Sequence, residues 1–223
     1  MDDNASHRVR SALEFARTAL VGPGDWLTGA QRRAAWIECR DARTNELDQA
    51  RKAAVSPAAV DGAHAATDEL SAEAVEVVHR VSSDPGRLTR AWADEMMAVL
   101  GDAKYTELVG IAATAAAVDA FDHAIGDGEA AIPPSVDGAP AQERPTDVGD
   151  VGAWIPQTLE AQNANVSRTL SLVPVTNRAW RGVVDGLYSR GMEFGNLTWD
   201  RALNRPQVEL VAARTTAELE CFY

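Results

Sequence analysis

Apolar positions along this chain recur every three or four residues rather than every two, a period that points to helix almost throughout. After Ser71, the residues Val75, Val78 and His79 fall on one stripe, and Trp92, Met96 and Leu100 repeat at spacing four within Leu88 to Leu100. Thr28 suits the N-cap of a helix running through Arg43, whose faces carry Ala34, Ala35, Ile37 and Cys39. The longest alanine-rich pattern, Tyr105 to Ile125, predicts a helix buried about its middle. Further helices are predicted over Gln157 to Leu170, Val175 to Met192 and Pro206 to about Glu220. Pro206 falls in the first turn of the last one, where a missing N–H costs nothing. No segment alternates cleanly with period two, and no hairpin turn sits between alternating apolar runs. The predicted fold class is all-α.

The pattern breaks between residues 126 and 152, where Gly126, Gly128, Pro133, Pro134, Gly138 and Pro140 follow closely on one another. That composition reads as a linker. It divides the chain into residues 1–125 and 153–223, and the two parts read as diverged helical copies. The run Leu27-Thr-Gly-Ala-Gln31-Arg-Arg33-Ala-Ala aligns without a gap on Leu203-Asn-Arg-Pro-Gln207-Val-Glu209-Leu-Val, with Arg33 opposite Glu209.

Composition narrows the range of functions. Hydrophobic residues make up 46% and charged ones 24%, a globular balance, while the net charge of −12 opposes both sequence-independent nucleic-acid binding and adhesion to anionic membranes. The longest uncharged apolar-rich run, Leu108 to Val118, is far short of the roughly 20 residues a membrane-spanning helix needs. The N-terminus carries no signal-peptide pattern, so a cytoplasmic location is expected. Two cysteines, Cys39 and Cys221, are too few for a disulfide scaffold, and Cys39 reads as a small buried apolar residue. Glu76 and His79, three apart, offer a metal-ligand pair that nothing else in the sequence completes. His79 therefore reads as a hydrogen-bonded core histidine, and Asp119 with His123 as a structural pair on a helix face. Neither a metal nor a cofactor is expected.

The chemistry lies in the tail. Glu209 stands twelve residues before Cys221 in a run predicted to be helical. A thiol reacts as its thiolate, and a neighbouring proton carrier promotes both ionisation and the departure of an alkoxide. In this tail, together with Arg51-Lys-Ala-Ala-Val-Ser-Pro57, Val75-Glu-Val-Val-His-Arg80 and Tyr105-Thr-Glu-Leu-Val-Gly-Ile-Ala112, the chain resembles the alkylhydroperoxidase D and carboxymuconolactone decarboxylase superfamily, specifically its two-copy peroxidase-related members. The family pattern is Glu, eleven residues, Cys-x-x-Cys, three residues, His. Glu209 and Cys221 match its first two members, and the second Cys and the His have no counterpart here.

The resemblance implies an alkylhydroperoxidase-like helical fold and thiol-dependent reduction of an organic hydroperoxide or hydrogen peroxide. By the same resemblance Cys221 is the resolving thiol and Glu209 the outer member of the proton relay. The implied partners are the peroxide substrate, a thiol reductant of the lipoyl or thioredoxin kind, and further copies of the chain in a homo-oligomer. In the first copy Arg33, Asn45 and Asp48 occupy the relay and thiol positions, so that copy is expected to be silent as a peroxidase. A chain ending at Tyr223 lacks the attacking position and is expected to be a weak peroxidase. A selenocysteine codon read as a stop after Tyr223 would produce that ending, as would a frameshift or decay of the motif. Two other readings of the chain are a decarboxylase-like non-redox enzyme and a non-catalytic oligomeric scaffold.

Overall fold

A computed structural model describes residues 7–126, 128–160, 165–188 and 202–218. The described chain is mostly helical with one two-residue strand pair, so the fold is all-α. In order, the helices are α1 (His7–Val21), α2 (Gly29–Asp41), α3 (Glu46–Ala53), α4 (Ala72–Ser83), α5 (Arg90–Leu100) and α6 (Asp102–Ala124). After the strands β1 (Val148–Gly149) and β2 (Gln157–Thr158) come α7 (Asn165–Arg168), α8 (Pro174–Leu187) and α9 (Arg205–Glu218). None of the described helices is long and apolar enough to cross a membrane.

Helix α6 is the centre. It buries residues on every side, from Tyr105, Leu108 and Ile111 to Ala115, Val118 and Asp119. A helix with so few exposed positions must be largely surrounded, and α6 packs against α1, α2, α4, α5 and α8, leaving Lys104, Ala116, Ala120 and His123 exposed. Its small residues allow close approach: a Cβ on Gly110 would lie 2.6 Å from Thr176 Cγ2.

Helix α8 lies chiefly against α1, and Val183 joins the same hydrophobic core as Leu13, Leu20, Trp36 and Val78. Gly182 faces the Phe15 ring, and a Cβ on Gly186 would fall 2.2 Å from the Ala12 Cβ. Gly186→Ala therefore sets about 1 kcal/mol of helix propensity against overpacking of about 1–3 kcal/mol. Overpacking should win, because the opposing atom is rooted on the α1 backbone and cannot swing away. A net loss near 1–2 kcal/mol in urea denaturation is expected.

Loop and helix are joined by a buried polar knot between α1 and α2. Glu107 on α6 accepts the backbone N–H groups of Asp25, Trp26 and Leu27 at 3.2, 2.6 and 3.1 Å, and pairs with the Arg32 guanidinium. Arg32 also donates to Thr176 Oγ1 at 2.8 Å and to the Ala19 carbonyl. The Asp25 carboxylate accepts the N–H groups of Val175 and Thr176 at 2.8 and 2.9 Å. It thereby caps α8 from a distant loop, satisfying donors that a helix start leaves open.

Several boundaries differ from the sequence expectation. Helices α1 and α3 were not predicted individually. The segment 157–170 is helical only over Asn165–Arg168 among its described residues. At its start Thr158 pairs with Val148, and its N–H donates to Ser171 Oγ at 2.8 Å, so the backbone bonds go elsewhere than to a helix. Residues 128–152 hold no helix, as expected of the linker, but they are strapped to the body. Val136 and Ala141 donate to the carbonyls of Val21 and Gly24, and Arg144 pairs with Asp102.

The two runs aligned by sequence start their helices at the same position. Thr28 and Gln31 form a reciprocal capping box before α2, and Asn204 and Gln207 do the same before α9. Their settings differ: α2 lies inside the bundle, whereas α9 exposes Leu210 and Val211.

Candidate functional site

Glu209 lies on α9, half exposed. The Tyr188 hydroxyl donates towards both of its carboxylate oxygens at 3.2 and 3.3 Å, and Arg205 Nε donates at 2.7 Å from one turn earlier. Burial, with the Glu209 charge beside it, raises the Tyr188 phenol above its ordinary pKa. Cys221 lies outside the described residues. Cys39 is buried on α2, and burial pushes its thiol up to about 12, which removes it from thiolate chemistry at neutral pH.

The first-half counterparts have local structural tasks. Arg33 donates from Nε to the Pro133 carbonyl at 2.9 Å, holding the strap. The Asn45 side chain accepts Leu47 N–H and caps α3. Asp48 differs from both. It is wholly buried in the middle of a cluster of imidazoles and carboxylates, the most concentrated titratable chemistry among the described residues.

Four segments assemble that cluster. Asp48 and Arg51 come from α3, Glu76, His79 and Arg80 from α4, Glu38 from α2, and His64 from the connection between α3 and α4. Helical spacing puts Glu76, His79 and Arg80 on one face, and that face meets α2 and α3. His79 Nδ1 lies 2.6 Å from Asp48 Oδ2, and its Nε2 lies 2.9 Å from Glu38 Oε2. His64 Nδ1 lies 2.7 Å from Glu76 Oε2, while its Nε2 is 3.3 Å from Asp48 Oδ2 without the alignment of a hydrogen bond. The two rings lie close and tilted, with centroids 4.0 Å apart and an interplanar angle of 41°. Arg51 holds both Glu76 oxygens at 2.9 and 3.0 Å, and Arg80 lies over the Trp92 ring at 5.5 Å.

Burial lowers the pKa of each histidine, but the surrounding carboxylates outweigh it. His64 rises to about 9 beside Asp48 and Glu76, and His79 is raised by Asp48 and Glu38. Conversely, burial raises Asp48 and Glu76, and their imidazole and guanidinium partners pull both below the ordinary carboxylate range. A cleft of about 280 Å³ reaches this cluster between Arg51, His64, Glu76, Trp92 and Met96.

The sequence reading of His79 as a hydrogen-bonded histidine agrees with this geometry, but Asp48, His64 and Glu38 were missed as its neighbours. One signal was present: His79 interrupts an otherwise apolar stripe, so a buried partner was required. The Asp119–His123 pairing is corrected. Asp119 turns inward to Trp36 Nε1, Arg40 and Arg43, and His123 is exposed. Helical spacing permitted the pair, but two guanidinium groups on α2 and its C-terminal turn attract the carboxylate more strongly. No family model matches this chain, and no curated protein or solved structure is significantly similar to it.

Proposed function

We propose that the chain is a thiol-dependent peroxidase of the alkylhydroperoxidase type, acting on organic hydroperoxides or hydrogen peroxide. The observation that carries the reading is Glu209, twelve residues before Cys221, held half exposed on α9 between the Tyr188 hydroxyl and Arg205. Such a carboxylate can exchange protons with solvent while its neighbours fix its position. The all-α fold and the matching capping boxes of α2 and α9 are consistent with a two-copy relative of that superfamily.

In this scheme the attacking thiolate or selenolate, which the resemblance assigns to the second cysteine position of the motif and which has no counterpart in this sequence, breaks the peroxide O–O bond. The oxygen bound by sulfur or selenium becomes a sulfenic or selenenic acid, and the other leaves as alcohol after taking a proton. The Cys221 thiolate then attacks that acid, forming the disulfide or selenenylsulfide and releasing hydroxide, which leaves as water. A dithiol of the lipoyl or thioredoxin kind reduces the bond and closes the cycle. Glu209 passes the protons released by the ionising thiols towards the departing alkoxide and hydroxide.

Thiol exchange tests the Cys221 step directly. With an aromatic disulfide at pH 7, the native chain should expose one fast-reacting thiol, lost in Cys221→Ser and slowed about tenfold or more in Glu209→Gln. Cys39 should react only after unfolding. Exchange no faster than that of a short unstructured peptide thiol, or unchanged in Glu209→Gln, would overturn the proposal.

A further inference from the structure

We propose that Asp48, His64 and His79 form a binding site for one divalent transition-metal ion in the first half of the chain, separate from Glu209 and Cys221. The potential ligand atoms lie within 4.8 Å of one another, and all three residues are buried. Two imidazoles and one carboxylate are a donor set suited to Zn(II), Fe(II) or Mn(II).

The orientation of the rings supports this more strongly than their proximity. Each histidine has one nitrogen against an outer carboxylate and the other turned inward. His64 Nδ1 lies 2.7 Å from Glu76, leaving Nε2 towards Asp48; His79 Nε2 lies 2.9 Å from Glu38, leaving Nδ1 towards Asp48. An outer carboxylate that takes one N–H fixes the tautomer and makes the inner nitrogen a better metal ligand. Arg51 in turn holds Glu76 by both oxygens, so the support extends one layer further.

A second observation is independent of that arrangement. His64 Nε2 is buried, in a side chain only 5% exposed, and meets Asp48 Oδ2 at 3.3 Å as an ion-pair contact that lacks hydrogen-bond alignment. Buried polar atoms in native proteins are rarely left without a well-aligned partner, and an ion between Nε2, Nδ1 and Asp48 would supply one.

Charge permits the exchange. With neutral imidazoles, the carboxylates of Glu38, Asp41, Asp48 and Glu76 outnumber the guanidinium groups of Arg51 and Arg80 and leave a negative excess. Two protons or one dication offset that excess equally, so a metal can take the place of the two imidazolium protons. The cleft beside His64 and Glu76 provides a route of entry.

The full-length chain, stripped with chelator and kept at pH 8, is titrated with Co(II) and with Zn(II). One ion per chain is expected, with the visible absorption of Co(II) bound in a low-symmetry site. Asp48→Asn, His64→Gln and His79→Gln should each weaken binding more than about a hundredfold, and Glu76→Gln by about 10–100-fold. Far-UV circular dichroism confirms that each variant is folded; if one of the three ligand variants unfolds, the others and Glu76→Gln carry the test. No stoichiometric binding by the folded wild-type chain overturns the site. So does binding that persists unchanged in the folded variants, which would place the ion on exposed groups such as His7 or His123.

Discussion

Arg32→Met is expected to cost about 3–5 kcal/mol of folding stability, the largest loss from any single change proposed for this chain. Arg32 and Glu107 are both completely buried and paired, in a space so tight that a Cβ on Gly24 would lie 2.0 Å from Glu107 Oε1. Methionine fills much of the arginine stem's volume but leaves the Glu107 carboxylate without a counter-charge. Three backbone N–H groups still face it and soften the penalty, but they do not replace a guanidinium. Without Arg32, burial raises the folded-state pKa of Glu107 unopposed by its main cation. The deficit should therefore be largest at neutral pH and shrink as pH falls towards the ordinary glutamate value near 4.5, where the unfolded chain also binds the proton. Glu107→Gln in the Arg32→Met background should recover part of the loss, because the amide oxygen still accepts the loop N–H groups. Urea unfolding at pH 7 and pH 5 is the measurement. A loss under about 1 kcal/mol at pH 7 would show that the pair contributes little.

The metal-free chain should also lose stability on both sides of a window in mildly acidic solution. His64 has its folded pKa raised from 6.5 to about 9. Its contribution is therefore complete below about 6.5 and disappears as pH rises through about 9, a change on the order of 3 kcal/mol. His79 is shifted in the same direction and adds to the same alkaline loss. Asp48 and Glu76 are shifted down, so their contributions exist above their ordinary pKa values near 3.8 and 4.5 and are lost on acidification below those values. Thermal unfolding across pH 4–10 should show a maximum near pH 5–6. In His64→Gln the decline between pH 6.5 and 9 should flatten. A wild-type profile flat over that interval, or one that declines equally in the variant, would contradict the cationic imidazole.

Both expectations rest on groups that the sequence presented as ordinary. Arg32 sits in the run Gln31-Arg32-Arg33, where two adjacent arginines on a helix suggest solvent exposure. The helix instead turns Arg32 fully inward and Arg33 towards the Pro133 carbonyl. Asp48 was read only as a lost thiol position, and its imidazole partners His64 and His79 lie 16 and 31 residues away along the chain. Spacings of that size leave no periodic trace, since local patterns report which face a residue shares and not what meets that face.

The sequence by itself determined the helical class, the buried middle of α6, and the helix starts at Thr28 and Ser71. It could do so because these depend on apolar period and on side chains bonding to backbone within three residues. Tertiary structure alone decided that the glycine- and proline-rich segment is strapped to the bundle, and that Asp25 caps a helix 150 residues away. It also decided that two histidines share one buried aspartate. Each of these follows from burial: once packing removes water, a polar group must find a partner wherever the fold has placed one, and sequence distance ceases to matter.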